Sequence, residues 1–248
     1  MSMRSFTVLS AAAGCLLLTA CSGGAAGAAS AQPAAVRTDP SRSPSAGLPQ
    51  QRAAGEVPDT ARLRELVLRP GEDAGVPDPA YGIRDVHPSE FGLVPGGDAY
   101  PAACRTMWAL IGHKGAQAAI AQTFTSKRPG EPSVNFLASH AGTGATTAFA
   151  QLREAASACP QHGSDGRTAT VATEDLHGAG FPEDAIRIRI TVHEEGSSEP
   201  DDISDRIVAR VGACIVDMSG LWSQPQTRLA EAPVLRQIER LRAGGQGL

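Results

Sequence analysis

Ile186, Ile188, Ile190 and Val192 alternate strictly with Arg187, Arg189, Thr191 and His193. This constrains the fold more than any other stretch of the chain, because a period of two sends the two sets to opposite faces of a strand. The pattern predicts an antiparallel sheet with one apolar and one wet face. Around it the chain alternates strand-like and helix-like segments. Thr60 to Leu68 reads as a short helix behind Asp59, with a strand as the alternative, and Ala102 to Ile111 as another. Glu72 to Gly97, rich in Pro, Gly and Asp, reads as surface loop that drops Phe91 and Leu93 into the core.

Gln117 to Ser126 and Ser133 to Ser139 flank Lys127-Arg128-Pro129-Gly130-Glu131-Pro132 and predict a hairpin. Thr146 to Ala158 is the clearest helix: Phe149, Leu152, Ala156 and Cys159 form one inward stripe, and Pro160 stops it. Arg167 to Thr173, Ala185 to His193 and Asp205 to Met218 are the remaining strands, the last apolar on both faces and hence central. A final helix starts near Pro233, carries Val234, Ile238 and Leu241 on one face and ends at Gly244-Gly245. The expectation is an α+β fold, an antiparallel sheet of about five to six strands flanked by helices that pack on one side of it.

The N-terminal end carries an address. Arg4 precedes an apolar run, Phe6 to Leu18, and Leu18-Thr19-Ala20-Cys21 has the form of a lipoprotein cleavage box. Residues 1–20 are thus expected to be a signal peptide and Cys21 the lipid-attachment site of an anchor on the outer face of the cell membrane. Residues 21–57 are Gly/Ala/Ser/Pro-rich with no apolar period, and read as a tether with a reach on the order of 30 Å. Residues 58–248 then form a single extracytoplasmic domain. The 22 basic residues comprise 20 Arg and only Lys114 and Lys127, a coding bias that points to a high-GC actinobacterium. The formal net charge of −4 falls by one more when Arg4 leaves. It offers no basic footprint for nucleic acid.

Of five cysteines, Cys15 lies in the leader and Cys21 takes the lipid. Cys104 and Cys159 both face inward from helical stretches, so a Cys104–Cys159 disulfide is expected in an oxidising compartment, with Cys214 buried in its strand as a small hydrophobe. Pairing of Cys214 with one of them, or three reduced thiols, are the alternatives.

Catalytic signatures are missing. There is no Gly-x-Ser-x-Gly, and Gly163-Ser164-Asp165-Gly166 reads as a turn. His87, His113, His140, His162, His177 and His193 are scattered without zinc-ligand spacing, so no metal is expected. Gly142-Thr143-Gly144 opens a helix and could cradle an anion, but lacks the lysine and hydroxyl of a phosphate loop; it reads as a helix entry. Glu194 to Asp205 holds six acidic side chains without a calcium-loop pattern, a solvated hairpin tip. Arg187, Arg189 and His193 on the wet sheet face, with Trp222 past the long strand, are the candidate binding residues.

The helix ending in Cys159, the alternating strand pair, the run Arg210-Val211-Gly212-Ala213-Cys214-Ile215-Val216-Asp217-Met218 and the terminal helix together resemble the extracellular sensor domain of the mycobacterial receptor kinase PknH and its lipoprotein relatives, over about residues 60 to 243. The resemblance implies an antiparallel sheet flanked by helices, a cleft for a small ligand and two disulfides. Three mature cysteines allow only one of these. The functional expectation is a membrane-anchored, non-catalytic binding domain for an unknown small molecule, with no cofactor. Its alternative is an envelope assembly lipoprotein acting through protein contacts, and an unrecognised hydrolase stands third.

Overall fold

The computed structural model describes residues 57–69, 82–94, 97–124, 132–164, 166–178, 180–198, 201–220 and 228–245. Its contacts divide the chain into residues 1–48 and 49–248, and all of the described residues belong to the second unit. The first helix, α1 (Thr60–Leu66), starts where the Asp59 carboxylate accepts the Arg62 backbone N–H at 2.7 Å, and it buries Leu63 and Leu66. α2 (Ala102–Ile111), α3 (Gly144–Ser157) and α4 (Glu231–Gly245) are the other α-helices among the described residues. Two short 3-10 turns, Pro88–Glu90 and Gly97–Ala99, punctuate the early loop.

Eight strands form one antiparallel sheet: β1 (Gly82–Asp85), β2 (Ala118–Thr123), β3 (Pro132–Ser139), β4 (Gln161–Ser164), β5 (Arg167–Asp175), β6 (Ala185–Glu194), β7 (Asp202–Val211) and β8 (Cys214–Gly220). Their order is β1-β2-β3-β8-β7-β6-β5-β4. The expected strand count of five to six was low for two reasons. β1 and β4 are four-residue edge strands, too short to show a period. The apolar run from Asp205 to Met218 is two strands, not one: Val211 pairs with Cys214 across the two-residue loop Gly212-Ala213, and Gly212 takes φ +60°. Only that glycine marked the hairpin in the sequence. The pair does lie at the centre of the sheet, as the apolar run required.

Helices cover both faces of the sheet, which corrects the expected single covered side. On β8, Cys214, Val216 and Met218 join Leu63, Leu66, Val234 and Ile238 in a core beneath α1 and α4. Ile215 joins Met107, Phe149, Leu152, Ile186 and Ile188 beneath α2 and α3. Leu93 also departs from expectation: it is 63% exposed, whereas Phe91 packs beside Ala119, Ala121 and Ala138.

The α1/α4 side carries a polar seam inside its apolar core. The Gln237 amide donates to the Leu66 carbonyl at 2.8 Å and accepts from Asn135 at 2.9 Å, and Gln122 donates to the Leu68 carbonyl at 2.7 Å. The α1 helix ends at Leu66, so this amide satisfies a carbonyl that the helix terminus leaves without an intrahelical partner.

Candidate functional site

α2 and α3 lie on one sheet face and are tied at one end. The Cys104 and Cys159 sulfurs are bonded at 2.04 Å with their Cα atoms 5.0 Å apart, so the first turn of α2 is held to the residues just after α3. At the opposite end the helices part around a cavity of about 320 Å³. From α2 and the turn after it come Thr106, Leu110, Lys114 and Gly115; from α3 come Gly144, Thr147, Ala148 and Gln151. His140, just past β3, forms the floor. The volume is at the lower bound for a small-molecule pocket, and the lining mixes apolar walls with a few convergent polar groups.

Local backbone chemistry sets this geometry. Gly142 takes φ +53° in the turn into α3, a conformation that favours glycine. A Cβ on Gly144 would stand 3.1 Å from the His140 Cβ, so a glycine here lets α3 begin directly against the histidine. The His140 backbone N–H donates to the Ala213 carbonyl at 2.9 Å, which ties the floor to the β7–β8 turn.

Below the floor a recess of about 10 Å³ reaches toward the sheet, lined by His113, His140, Asp217 and apolar side chains. His113 has φ +62° and is 6% exposed. Burial, then the nearby Arg206 and His140, push its pKa down to about 3, so the ring is neutral. Burial also lowers the pKa of His140, opposed by a hydrogen bond to the Gly115 backbone. Asp217 sits 2.6 Å from the Arg206 guanidinium; burial raises its pKa while Arg206 pulls it down. The cleft thus has the His140 imidazole at its floor, and the recess beneath holds the neutral His113 ring beside the Arg206–Asp217 pair.

No family model matches the chain, and no curated protein matches it. Among solved structures the chain is similar to the extracellular domain of PknH from Mycobacterium tuberculosis, with a TM-score of 0.42 and 12% sequence identity. The match covers 77% of this chain and 99% of that one.

The residues singled out from the sequence do not gather at this cleft. Arg187 is buried at 3% exposure on the α1/α4 side of β6, not on a wet face. Its guanidinium donates to Asp205 of β7 at 2.7 Å and, where the chain enters α4, to the Leu229 carbonyl at 3.2 Å and Glu231 at 2.9 Å. Arg189 is half-buried one pleat along, and His193 is exposed, with Nδ1 2.8 Å from Asp201. Trp222 and Cys21 lie outside the described residues. Cys104 and Cys159 are joined as expected, and Cys214 is a free, buried thiol.

His162 approaches the disulfide, and ligand atoms of Cys104, Cys159 and His162 lie within 4.8 Å of one another. The trio does not fit a metal. Both sulfurs are spent in the bond, and the Trp108 indole N–H donates to His162 Nε2 at 3.1 Å. In the neutral ring that acceptor role puts the proton on Nδ1, which faces the Cys159 sulfur at 3.5 Å. The cleft's own residues escaped sequence reasoning because they come from two separated stretches of chain, 106–115 and 140–151. Only Gly142-Thr143-Gly144 had signalled a helix start able to meet a ligand.

Proposed function

We propose that this protein is an extracytoplasmic lipoprotein, anchored through Cys21 to the outer face of the cell membrane, whose α+β domain binds a small molecule without transforming it. The observation that carries the reading is the cavity of about 320 Å³ between α2 and α3. Its hydroxyls, amide, ammonium and single imidazole are groups that hold a ligand by hydrogen bonds, and Leu110 and Ala148 supply an apolar wall. The anchoring half of the reading is supported by Leu18-Thr19-Ala20-Cys21 and the Pro/Gly-rich stretch behind it. Among the described residues no helix is long and apolar enough to cross a membrane. The assembly alternative would call for an apolar docking patch. Leu93 is the one large hydrophobic side chain exposed among the described residues.

Native mass spectrometry of the full chain, extracted from its own membranes, tests the binding half. A co-purifying small molecule that Thr147→Trp, placed in the cleft, displaces is the expected result. Recovery of the same adduct from wild type and Thr147→Trp, or of none from either, would overturn it. For the anchor, Cys21→Ser should lose acyl labelling and leave the membrane fraction; equal labelling of both proteins rules the anchor out.

A further inference from the structure

We propose that the α2–α3 cleft selects a small organic oxyanion, a carboxylate or phosphate attached to a compact apolar group. This rests on the cleft being the binding site and adds the chemical class of its ligand.

Charge at the cleft is one-sided. Lys114 is exposed at the rim and forms no ion pair among the described residues, in a chain whose formal charge is −4. Among the described residues no aspartate or glutamate lines the cavity. The acid of the adjoining recess, Asp217, is matched by Arg206 at 2.6 Å, so that pair adds no net charge beneath the floor. α3 then points its N-terminal end into the same cavity through Gly144, and Thr143 makes no side-chain cap. The positive end of a 14-residue helix dipole therefore adds to the Lys114 ammonium. Thr147, one turn into α3 from Gly144, adds a hydroxyl donor at this end of the cavity, while Thr106 lines it farther along α2. Leu110 and Ala148 face the cavity between them, where the ligand's apolar part would rest. A neutral or cationic ligand would leave the ammonium and the helix end without a counter-charge.

The probes are 4-fluorobenzoate, 4-fluorophenyl phosphate and the neutral isostere 4-fluorobenzamide, titrated by fluorine NMR into the full chain in detergent. At least one oxyanion should bind about ten-fold more tightly than the amide, and Lys114→Gln should cut that preference to about three-fold, the share left to the helix end. Lys114→Arg should retain the preference. Which oxyanion wins separates a carboxylate ligand from a phosphate one. Equal affinity for amide and oxyanions, with all binding abolished by Thr147→Trp, overturns the charge selection and leaves the cleft as a binding site. A preference undiminished by Lys114→Gln overturns the inference as well. Failure of all three probes to bind overturns it too, and if the Thr147→Trp comparison by native mass spectrometry also fails, the cleft reading falls with it.

Discussion

The Arg187 guanidinium and the Asp205 carboxylate meet at 2.7 Å across β6 and β7, each side chain only 4% exposed. The same Asp205 oxygen accepts the Leu229 backbone N–H at 2.7 Å, so one carboxylate fastens both a buried cation and the approach to α4. Removing it takes from the guanidinium its only fully buried carboxylate partner among the described residues, leaving the half-exposed Glu231, the more distant Glu174 and the Leu229 carbonyl. Asp205→Ala should cost about 3 to 5 kcal/mol in urea unfolding, whereas the apolar pair Arg187→Met with Asp205→Leu should recover only part of that loss, because the buried Leu229 N–H and carbonyl stay unmatched. A single mutant as stable as wild type would show that the pair holds nothing.

Gln237 offers a second, smaller test. It has no exposure, and its amide links the Leu66 carbonyl to Asn135. Gln237→Leu keeps the volume but leaves a buried carbonyl and an amide N–H unmatched. Each orphaned group costs about 1 to 3 kcal/mol. Hydrogen exchange should therefore quicken in α1 more than in α3.

The disulfide closes a loop with a sequence separation of 55. In the chain-entropy model this constrains the unfolded state by about 4 kcal/mol. Cys104→Ala with Cys159→Ala should lose that amount in denaturant titration. Peptide mapping without reductant should recover the Cys104–Cys159 crosslink. Cys214, whose thiol burial pushes up to about 11, should alkylate only after unfolding.

His113 makes stability depend on pH. Its folded pKa of about 3 lies below the unfolded value of about 6.5, so the unfolded chain binds the proton more tightly. Stability is complete above the unfolded pKa and falls as pH drops from about 6.5 toward 3, by up to about 1.4 kcal/mol per pH unit for this one proton. His140 and His162 are shifted in the same direction and add to the slope. Asp217, shifted upward by burial, works against it, because the folded state is the one that holds its proton. His113→Asn, which keeps a residue tolerant of positive φ, should flatten the unfolding free energy across that window. An unchanged slope would assign the acid sensitivity elsewhere.

The main helices and the β2–β3 hairpin were legible because their apolar residues recur at fixed spacing, as in Phe149, Leu152 and Ala156. The Cys104–Cys159 pair was legible because both cysteines sat on such stripes. The wet face was misread for a specific reason: an arginine at every second position normally means solvent, but Arg187 is covered by the segment leading into α4 and matched by Asp205 and Glu231. That partnership joins residues distant in the chain, and no local period encodes it. The cleft was hidden likewise, since Lys114, His140 and Thr147 converge only when the disulfide sets α2 beside α3.

α1 and α4 share one layer, and the Arg62 guanidinium reaches the Gly244 carbonyl at 3.1 Å. The two ends of the folded region are therefore neighbours, on the side of the sheet opposite the α2–α3 cleft. On the proposed reading, a domain attached through residue 57 would be held from behind. The sheet would then act as a partition between the attachment side and the cleft, so that a ligand entering the cleft would not compete with whatever the N-terminal segment is fixed to. A fluorophore or fusion partner joined after α4 would likewise ride on the attachment side and report on the domain without obstructing its open mouth.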